Sequence, residues 1–144
     1  MEKWLTKTGL EEEKVFTSCF SYSDNIPLNE KARNTLPGET DAILLVAGIA
    51  WPDSLLQELQ LGSNTRIMLF RDHHSYTDKD VRAIISAFKL LPGTNKILVT
   101  TGKDAVKLKY FPELQQIPMF CIDRHVIMGS EQKKELIERI LKNG

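Results

Sequence analysis

Short apolar runs alternate with amphipathic stretches along most of the chain beyond residue 40. The apolar runs predict strands at residues 42–49, 66–70, 96–99 and 117–122. The first run, AILLVAGI, has no polar position, which is typical of a strand buried on both faces. The amphipathic stretches predict helices that begin near Pro52 and Thr77 and that cover residues 103–109 and 130–142. Strands alternating with helices form right-handed βαβ units, so the pattern predicts an α/β fold: a mainly parallel sheet flanked by helices in three layers, a Rossmann-like lobe.

Local signals support the bounds of these helices. Pro52 suits a first helical turn, where its missing N–H costs nothing, and Gly62 can end that helix. Thr77 and Asp80 resemble an acidic variant of the capping box at the start of the next helix. Three groups of residues are expected to be the buried helix faces: Leu55, Leu56 and Leu59; Val81, Ile84, Ile85 and Phe88; and Leu136, Ile137, Ile140 and Leu141.

The first forty residues have a weaker pattern. Residues 15–22, VFTSCFSY, are strand-like. The polar segment 23–40 either holds a short helix around residues 29–34 or is a linker between lobes. The chain length favours a single α/β domain over residues 1–144, with residues 1–40 as a connecting segment.

Composition narrows the class of protein. Lys and Arg number 19, as do Asp and Glu, so nucleic acid is not expected as a partner. No apolar run approaches the roughly 20 residues of a membrane span, and the N-terminus lacks an apolar signal core. Cys19 and Cys121 each lie in a strand-like run and are expected to be buried, reduced thiols. A cytoplasmic protein without a transmembrane segment is therefore expected.

Asp72, His73 and His74 directly follow a predicted strand. In an open parallel sheet, ligands bind beyond the carboxyl ends of the strands, so this position favours a site. An imidazole beside a carboxylate can transfer protons or bind metal, and the same residues can also be ordinary loop polarity and helix capping. A metal site needs three or four ligands, and Asp123 and His125 add too few to predict one.

The segment TTGKD, residues 100–104, lies where another strand gives way to a helix. Backbone N–H groups at such a turn can bind phosphate, although a capped turn explains the same residues. The candidate ligands here are Thr100, Thr101, Lys103 and Asp104. The segment is not a Walker A loop, because the GxxxxGK(S/T) spacing is absent throughout the chain. Lys103 and Lys107 share a helical face that is expected to be solvated.

Gly48 ends the first buried strand and is a further candidate for contact with phosphate. A tight turn that needs little bulk or a positive φ explains this glycine equally well. Trp51 is expected to cover the turn as a hydrophobic lid.

Taken in order, AGIAWP, FRDHHSYTDKD and TTGKDAVKL resemble motifs in the second half of the tetraacyldisaccharide 4′-kinase family. That half carries a GIGNP-like or GIANP-like turn, an F-x-DHH-x-(F/Y) segment and TTEKDAVKL. The segment VFTSCFSYSDNIPL resembles the beginning of the same half, so the likeness spans about residues 14–140. Trp51 stands where the family has Asn, and Gly102 stands where it has Glu. The matching residues are Asp72, His73, His74, Lys103 and Asp104.

The resemblance implies the C-terminal lobe of an enzyme of lipid A (lipopolysaccharide) biosynthesis in Gram-negative bacteria. That kinase transfers the γ-phosphate of ATP to the 4′-hydroxyl of tetraacyldisaccharide 1-phosphate. Its N-terminal P-loop lobe carries the Walker A loop, the Mg²⁺ ligands and a catalytic Asp. ATP and Mg²⁺ would therefore be bound mainly by that partner lobe, and this chain alone is expected to be inactive and to bind no metal. The intact enzyme is expected to be peripheral on the cytoplasmic face of the inner membrane.

The resemblance also implies roles for the DHH residues. In the family, this segment supplies the His that pairs with the catalytic Asp of the other lobe to activate the sugar hydroxyl. His73 or His74 would be that residue, with Asp72 as an orienting neighbour, and His73 is favoured. A free-standing α/β module that binds nucleotide or phosphate at residues 100–103 without catalysis is the alternative. A metal-dependent phosphoesterase is a weaker one, because further Asp-rich motifs are missing.

Overall fold

The computed structural model describes residues 18–22, 24–35, 40–50, 52–58 and 62–143. The chain divides into two compact units, Tyr22–Arg124 and a smaller one formed by Met1–Ser21 with His125–Gly144. The strands are β1 (Ser18–Tyr22), β2 (Ile26–Pro27), β3 (Ala42–Gly48), β4 (Thr65–Phe70), β5 (Lys96–Thr101), β6 (Met119–Ile122) and β7 (Arg124–Met128). The helices are α1 (Glu30–Arg33), α2 (Asp53–Glu58), α3 (Asp78–Lys89), α4 (Gly102–Leu108) and α5 (Ser130–Asn143), with a 3₁₀ turn at Pro112–Gln116.

The larger unit is built on a sheet with the strand order β2-β6-β5-β3-β4. β3 pairs in parallel with β4 and β5, β5 pairs in parallel with β6, and β2 is antiparallel to β6. This arrangement confirms the predicted α/β fold with a mainly parallel sheet. β3 lies between β5 and β4, and nearly all of its residues are apolar and buried, as a strand covered on both faces requires.

Alternating residues of β3 separate two apolar cores on opposite faces of the sheet. Leu44 and Val46 pack on one face with Val81 and Ile84 of α3. Leu45 and Ala47 pack on the other face in the core that contains Leu55 of α2. The sheet therefore lies between helices, in the three layers expected. Leu59 and Trp51, predicted as a core residue and a lid, lie outside the described residues.

The segment before β3 holds a helix, as one of the two alternatives predicted. Asn29 caps α1 by accepting the N–H of Ala32 at 2.9 Å. The same buried side chain donates to the carbonyl of Ile117 at 2.8 Å. A single amide thus fastens α1 to the segment that leads into β6. The predicted strand at 117–122 is correspondingly shorter, because Ile117 and Pro118 precede β6.

The smaller unit contains most of β1 and β7, which form a two-stranded sheet, and helix α5. The predicted burial of the apolar stripe of α5 is wrong: Ile137 is 47% exposed, Ile140 62% and Leu141 75%. Periodicity shows that a helix has an apolar face, but it does not supply the surface that covers it. The expected Glu135–Arg139 ion pair is present on this helix.

The remaining predictions about the fold concern the two cysteines and membrane-spanning helices. Cys121 is a buried free thiol, as predicted, and burial raises its pKa. The side chain of Cys19 lies outside the described residues. Among the described helices, none is both long enough and apolar enough to cross a bilayer.

Candidate active site

The carboxyl ends of the parallel strands form one rim of the larger sheet. Gly48 at the end of β3 lies opposite Phe70 at the end of β4, and Thr101 of β5 lies opposite Ile122 of β6. The predicted sites at residues 48, 72–74 and 100–104 therefore follow strands that end at the same edge. Contacts of Asp104 with Gly48, of Lys103 with Asp72 and of Lys107 with His74 bring these segments together.

Asp104 of α4 joins the ends of β3 and β5 beneath this rim. Its fully buried carboxylate accepts the N–H of Gly48 at 2.8 Å and the hydroxyl of Thr101 at 2.7 Å. Thr101 in turn accepts the N–H of Asp104 at 3.3 Å and so caps α4. Thr100 is also fully buried. Thr100 and Asp104, predicted as phosphate ligands, therefore lie in the interior.

Gly48 is required for space rather than for backbone conformation. A Cβ at this position would lie 3.0 Å from Oδ1 of Asp104 and 3.2 Å from the carbonyl oxygen of Arg71. The buried hydroxyl of Tyr76 would be 3.5 Å away. Burial, followed by the charge of Asp104, raises the pKa of Tyr76 far above its usual range. Gly48 thus lets β3 approach the loop after β4 closely.

Residues 71–76, here named the DHH loop, place the two histidines differently. His73 has a φ of +58°, in the left-handed region, and its N–H donates to Oδ1 of Asp72 at 3.0 Å. Asp and Asn side chains commonly support such a turn by accepting a nearby N–H. The imidazole of His73 is 83% exposed, with Nε2 3.6 Å from Oδ2 of Asp72. His73 is therefore presented to solvent with a carboxylate beside it.

His74 is held inside the loop. Its ring contacts those of Phe70 and Tyr76, with centroid distances of 4.8 and 5.1 Å, and these two rings also contact each other at 5.1 Å. Its Nε2 lies 3.0 Å from Oδ2 of Asp80, the carboxylate that also completes the capping box with Thr77. Hydrogen bonds from the backbone of Thr77, and then from His74, lower the pKa of Asp80. The predicted capping box is confirmed, whereas the contact of the same carboxylate with His74 was not predicted.

Two lysines of α4 contact the DHH loop. Lys103 forms an ion pair with Asp72, and this contact is the main cause of the lowered pKa of Asp72. Lys107 donates to the backbone carbonyl of His74 at 2.8 Å. The face of α4 that carries both lysines was expected to be solvated; Lys103 is exposed as expected, whereas Lys107 is half-buried. The spacing of four residues correctly predicts that both side chains lie on one face of α4. It does not predict that this face contacts the DHH loop, because the loop is distant in the sequence.

A cavity of about 450 Å³ opens beside the loop within the larger unit. Its charged lining consists of Asp72, Lys103, Asp123 and Arg124, and its apolar wall of Ile49, Ala50 and Ile122. Thr101 and Gly102 complete the lining. The formal charges of the lining cancel, so the cavity suits a polar ligand that has an apolar face. Of the predicted phosphate ligands, Thr101 and Lys103 line this cavity, and Gly48, Thr100 and Asp104 lie outside its lining.

Asp123 occupies the space beside Gly102. A Cβ at residue 102 would overlap the carboxylate of Asp123. Arg124 and His125 were expected in a turn that follows a strand, but both belong to β7. The sequence missed this strand because Arg124 and His125 are charged or polar and its pairing partner β1 is distant in sequence.

The carboxylates of the rim have protein donors. Asp72 accepts from Lys103 and His73, Asp80 from Thr77, and Asp104 from Gly48 and Thr101. In the described part of the chain, no three His, Cys, Asp or Glu side chains converge as metal ligands. This donor set does not fit Mg²⁺, which prefers several converging oxygen ligands and water, so the rim is assigned no part in holding it.

The fold and the rim define the chain as an α/β lobe with an exposed histidine at the edge where the parallel strands of its sheet end. A family model described as tetraacyldisaccharide-1-P 4′-kinase matches residues 3–143. The chain belongs to this tetraacyldisaccharide-1-P 4′-kinase family, as the three motifs predicted.

Curated relatives named tetraacyldisaccharide 4′-kinase agree with this assignment. The protein of Parabacteroides distasonis is 30% identical over 139 residues, which cover 91% of this chain and 38% of that protein. The Flavobacterium psychrophilum protein is 36% identical, with coverage of 86% and 34%. The Bacteroides thetaiotaomicron protein is 39% identical, with coverage of 72% and 27%. The chain thus spans about a quarter to two fifths of these relatives. No solved structure matches it.

Proposed function

We propose that this chain is the C-terminal lobe of a kinase of lipid A biosynthesis. The intact enzyme transfers the γ-phosphate of ATP to the 4′-hydroxyl of tetraacyldisaccharide 1-phosphate. Family membership and the names of the curated relatives support the reaction. The observation that carries the proposal is the DHH loop, which presents His73 to solvent at the rim and holds His74 inside.

In the proposed mechanism, His73 acts on the sugar hydroxyl that attacks the γ-phosphorus. Phosphoryl transfer depends mainly on positioning and charge neutralisation, with a base to orient the nucleophile. His73, paired with an Asp of the N-terminal P-loop lobe, accepts the hydroxyl proton as the sugar oxygen bonds to the γ-phosphorus, the bond from that phosphorus to the bridging oxygen breaks, and ADP leaves. Asp72, with Oδ2 at 3.6 Å, orients the imidazole of His73, and Lys103 keeps Asp72 ionised. ATP and Mg²⁺ are bound mainly by that other lobe, whose Mg²⁺ offsets the phosphate charge.

The proposed location follows from the substrate. The acylated disaccharide lies in a membrane and ATP is supplied from the cytoplasm, so we place the intact enzyme as a peripheral protein on the cytoplasmic face of the inner membrane. Fractionation of cells that express the intact kinase checks this, and recovery in the periplasm would contradict it.

The test is substitution of His73 in the intact kinase. His73→Ala is expected to lower kcat by roughly 10²- to 10⁴-fold, the usual contribution of acid–base assistance. The KM for ATP should change little, because loss of a transition-state interaction appears in kcat. The matched control is His125→Ala, an exposed histidine of β7, which should leave both constants unchanged.

Two results would contradict this proposal. If His74→Ala abolishes activity at unchanged stability and His73→Ala does not, the roles of the two histidines are reversed. If the unaltered intact enzyme does not phosphorylate the disaccharide, the reaction itself is wrong.

The cavity favours one alternative, a module that binds nucleotide or phosphate without catalysis. Lys103 and Arg124 line the cavity and provide cationic donors for a phosphate group. Titration of ATP into the isolated chain, followed by amide shifts of residues 100–103, tests this alternative. Tight binding together with no kinase activity of the intact protein would favour it.

A further inference from the structure

Lys107 connects α4 to the backbone of the DHH loop. It lies one helical turn after Lys103, and both ammonium groups reach the loop from the same helix face. Lys103 contacts the side chain of Asp72, whereas Lys107 donates to the main-chain carbonyl of His74 at 2.8 Å. The bond of Lys107 is part-buried, so water competes with it less than with an exposed contact.

The backbone of His74 is fixed on both sides. Its N–H donates to the carbonyl of Arg71 at 3.0 Å, and its own carbonyl accepts from Lys107. Its ring is held separately by Asp80 at 3.0 Å. The bond to Arg71 holds the peptide between His73 and His74, and the bond from Lys107 holds the peptide after His74, so the backbone that follows His73 has little freedom to rotate.

The conformation of His73 depends on that restraint. A left-handed φ of +58° is unfavourable for a residue with a side chain, and it persists where the surroundings determine it. The imidazole of His73 is 83% exposed, so its own packing contributes little to its orientation. The neighbouring residues must therefore set the direction in which His73 projects.

We propose that Lys107 is a positioning residue: it fixes the His74 peptide so that His73 projects from the rim in its left-handed conformation. The geometric part of this proposal, the restraint that Lys107 places on the backbone of His74, concerns this chain alone. The consequence for catalysis rests on the proposed function. Lys107 acts through His73 and contacts no reacting atom.

The geometric part is tested on the 144-residue chain. Lys107→Met keeps most of the side-chain length and removes the donor. Amide hydrogen exchange at residues 72–76 should become faster, with the amides of β3 and β5 unchanged. Lys107→Arg retains a donor and should restore slow exchange. Lys109→Met, at the C-terminal end of the same helix, is the matched control and should have no effect. Unchanged exchange at residues 72–76 in Lys107→Met would overturn the inference.

The catalytic consequence is tested in the intact kinase. Lys107→Met should lower kcat by roughly 10- to 100-fold, because small misplacement of a reacting group has an effect of this size. The KM for ATP should be unchanged, and Lys107→Arg should recover most of kcat. An unchanged kcat, or a loss of kcat that merely follows a lower Tm, would overturn the inference. If the unaltered kinase shows no turnover, the proposed function fails, and the exchange measurement still decides the role of Lys107.

Discussion

Gly48 and Gly102 both lie at the rim, but different kinds of atoms surround them. A Cβ at Gly48 would press on the buried carboxylate of Asp104 and on the backbone carbonyl of Arg71. A Cβ at Gly102 would meet the carboxylate of Asp123, whose side chain is exposed. Buried groups and backbone resist displacement in a close-packed interior, whereas an exposed side chain can change rotamer.

Gly48→Ala should therefore lower Tm more than Gly102→Ala. Gly102 is the first residue of α4, and replacing a helical glycine with alanine contributes up to about 1 kcal/mol in favour of the helix. Rotation of Asp123 offsets part of this gain. Thermal unfolding followed by circular dichroism on both variants checks the order. A larger loss for Gly102→Ala would show that Asp123 cannot move away.

The sequence predicted which residues of the site lie at the rim, but not the contacts that hold them. Asp72, His73 and His74 directly follow a strand, so their position at the edge of the sheet followed from the fold class. The bond from Lys107 to the carbonyl of His74 spans 33 residues and ends on a backbone atom. No residue pattern encodes such a partner, because it is set by the packing of α4 against the loop.

At the scale of the elements, Asp41 fastens the turn after α3 to the start of β3. Its Oδ2 accepts the N–H groups of Thr94 and Asn95, each at 2.8 Å. The turn needs Gly93, which has a φ of +79° and lies against the Asp41 side chain. The backbone N–H of Asn95, and then that of Thr94, lowers the pKa of Asp41 below its ordinary value of 3.8.

Asp41 should make the free energy of unfolding depend on pH. A carboxylate whose pKa is lowered by folding contributes its full stabilisation above its ordinary value of 3.8, and loses it as the pH falls through the lowered pKa. Asp41→Asn should therefore lower Tm at neutral pH. It should also reduce the difference in Tm between neutral and strongly acidic solution, because one titrating contribution is gone.

Thermal unfolding of both proteins across this pH range checks the prediction. Glu138→Gln, at an exposed residue outside the turn, is the control for a general change in charge. Equal dependence of Tm on pH in Asp41→Asn and in the unaltered chain would contradict the role of Asp41.

The elements that the sequence predicted well are those with a strong internal pattern. β3 and α3 carry an uninterrupted apolar run and a capped amphipathic stripe, respectively. β2 has two residues, one of them proline, and its place beside β6 could not be predicted from any periodicity. Whether the apolar face of α5 is buried depends on the residues that pack against it, and the sequence of α5 alone does not specify those residues.

At the scale of the whole molecule, the rim, the DHH loop and the cavity all lie within the unit Tyr22–Arg124. The proposed role of His73 needs two further components, a nucleotide site and an acidic residue that shares the proton of the hydroxyl. The sequence of this chain contains no GxxxxGK(S/T) segment. The rim carboxylates Asp72, Asp80 and Asp104 already accept hydrogen bonds from the protein, and in the proposed mechanism the second component comes from the N-terminal lobe.

The isolated chain should therefore transfer no phosphate. Incubation with ATP, Mg²⁺ and tetraacyldisaccharide 1-phosphate, followed by mass spectrometry of the lipid, should give no product, while the intact kinase gives product under the same conditions. Circular dichroism and slow amide exchange in β3 and β5 must first show that the chain is folded, so that inactivity is not caused by unfolding. Most of the rate enhancement in phosphoryl transfer comes from positioning and from neutralising the phosphate charge, and His73 alone supplies neither for ATP. Turnover by the isolated chain comparable to that of the intact kinase would mean that the nucleotide site lies within these residues, and the division of roles between two lobes would be wrong.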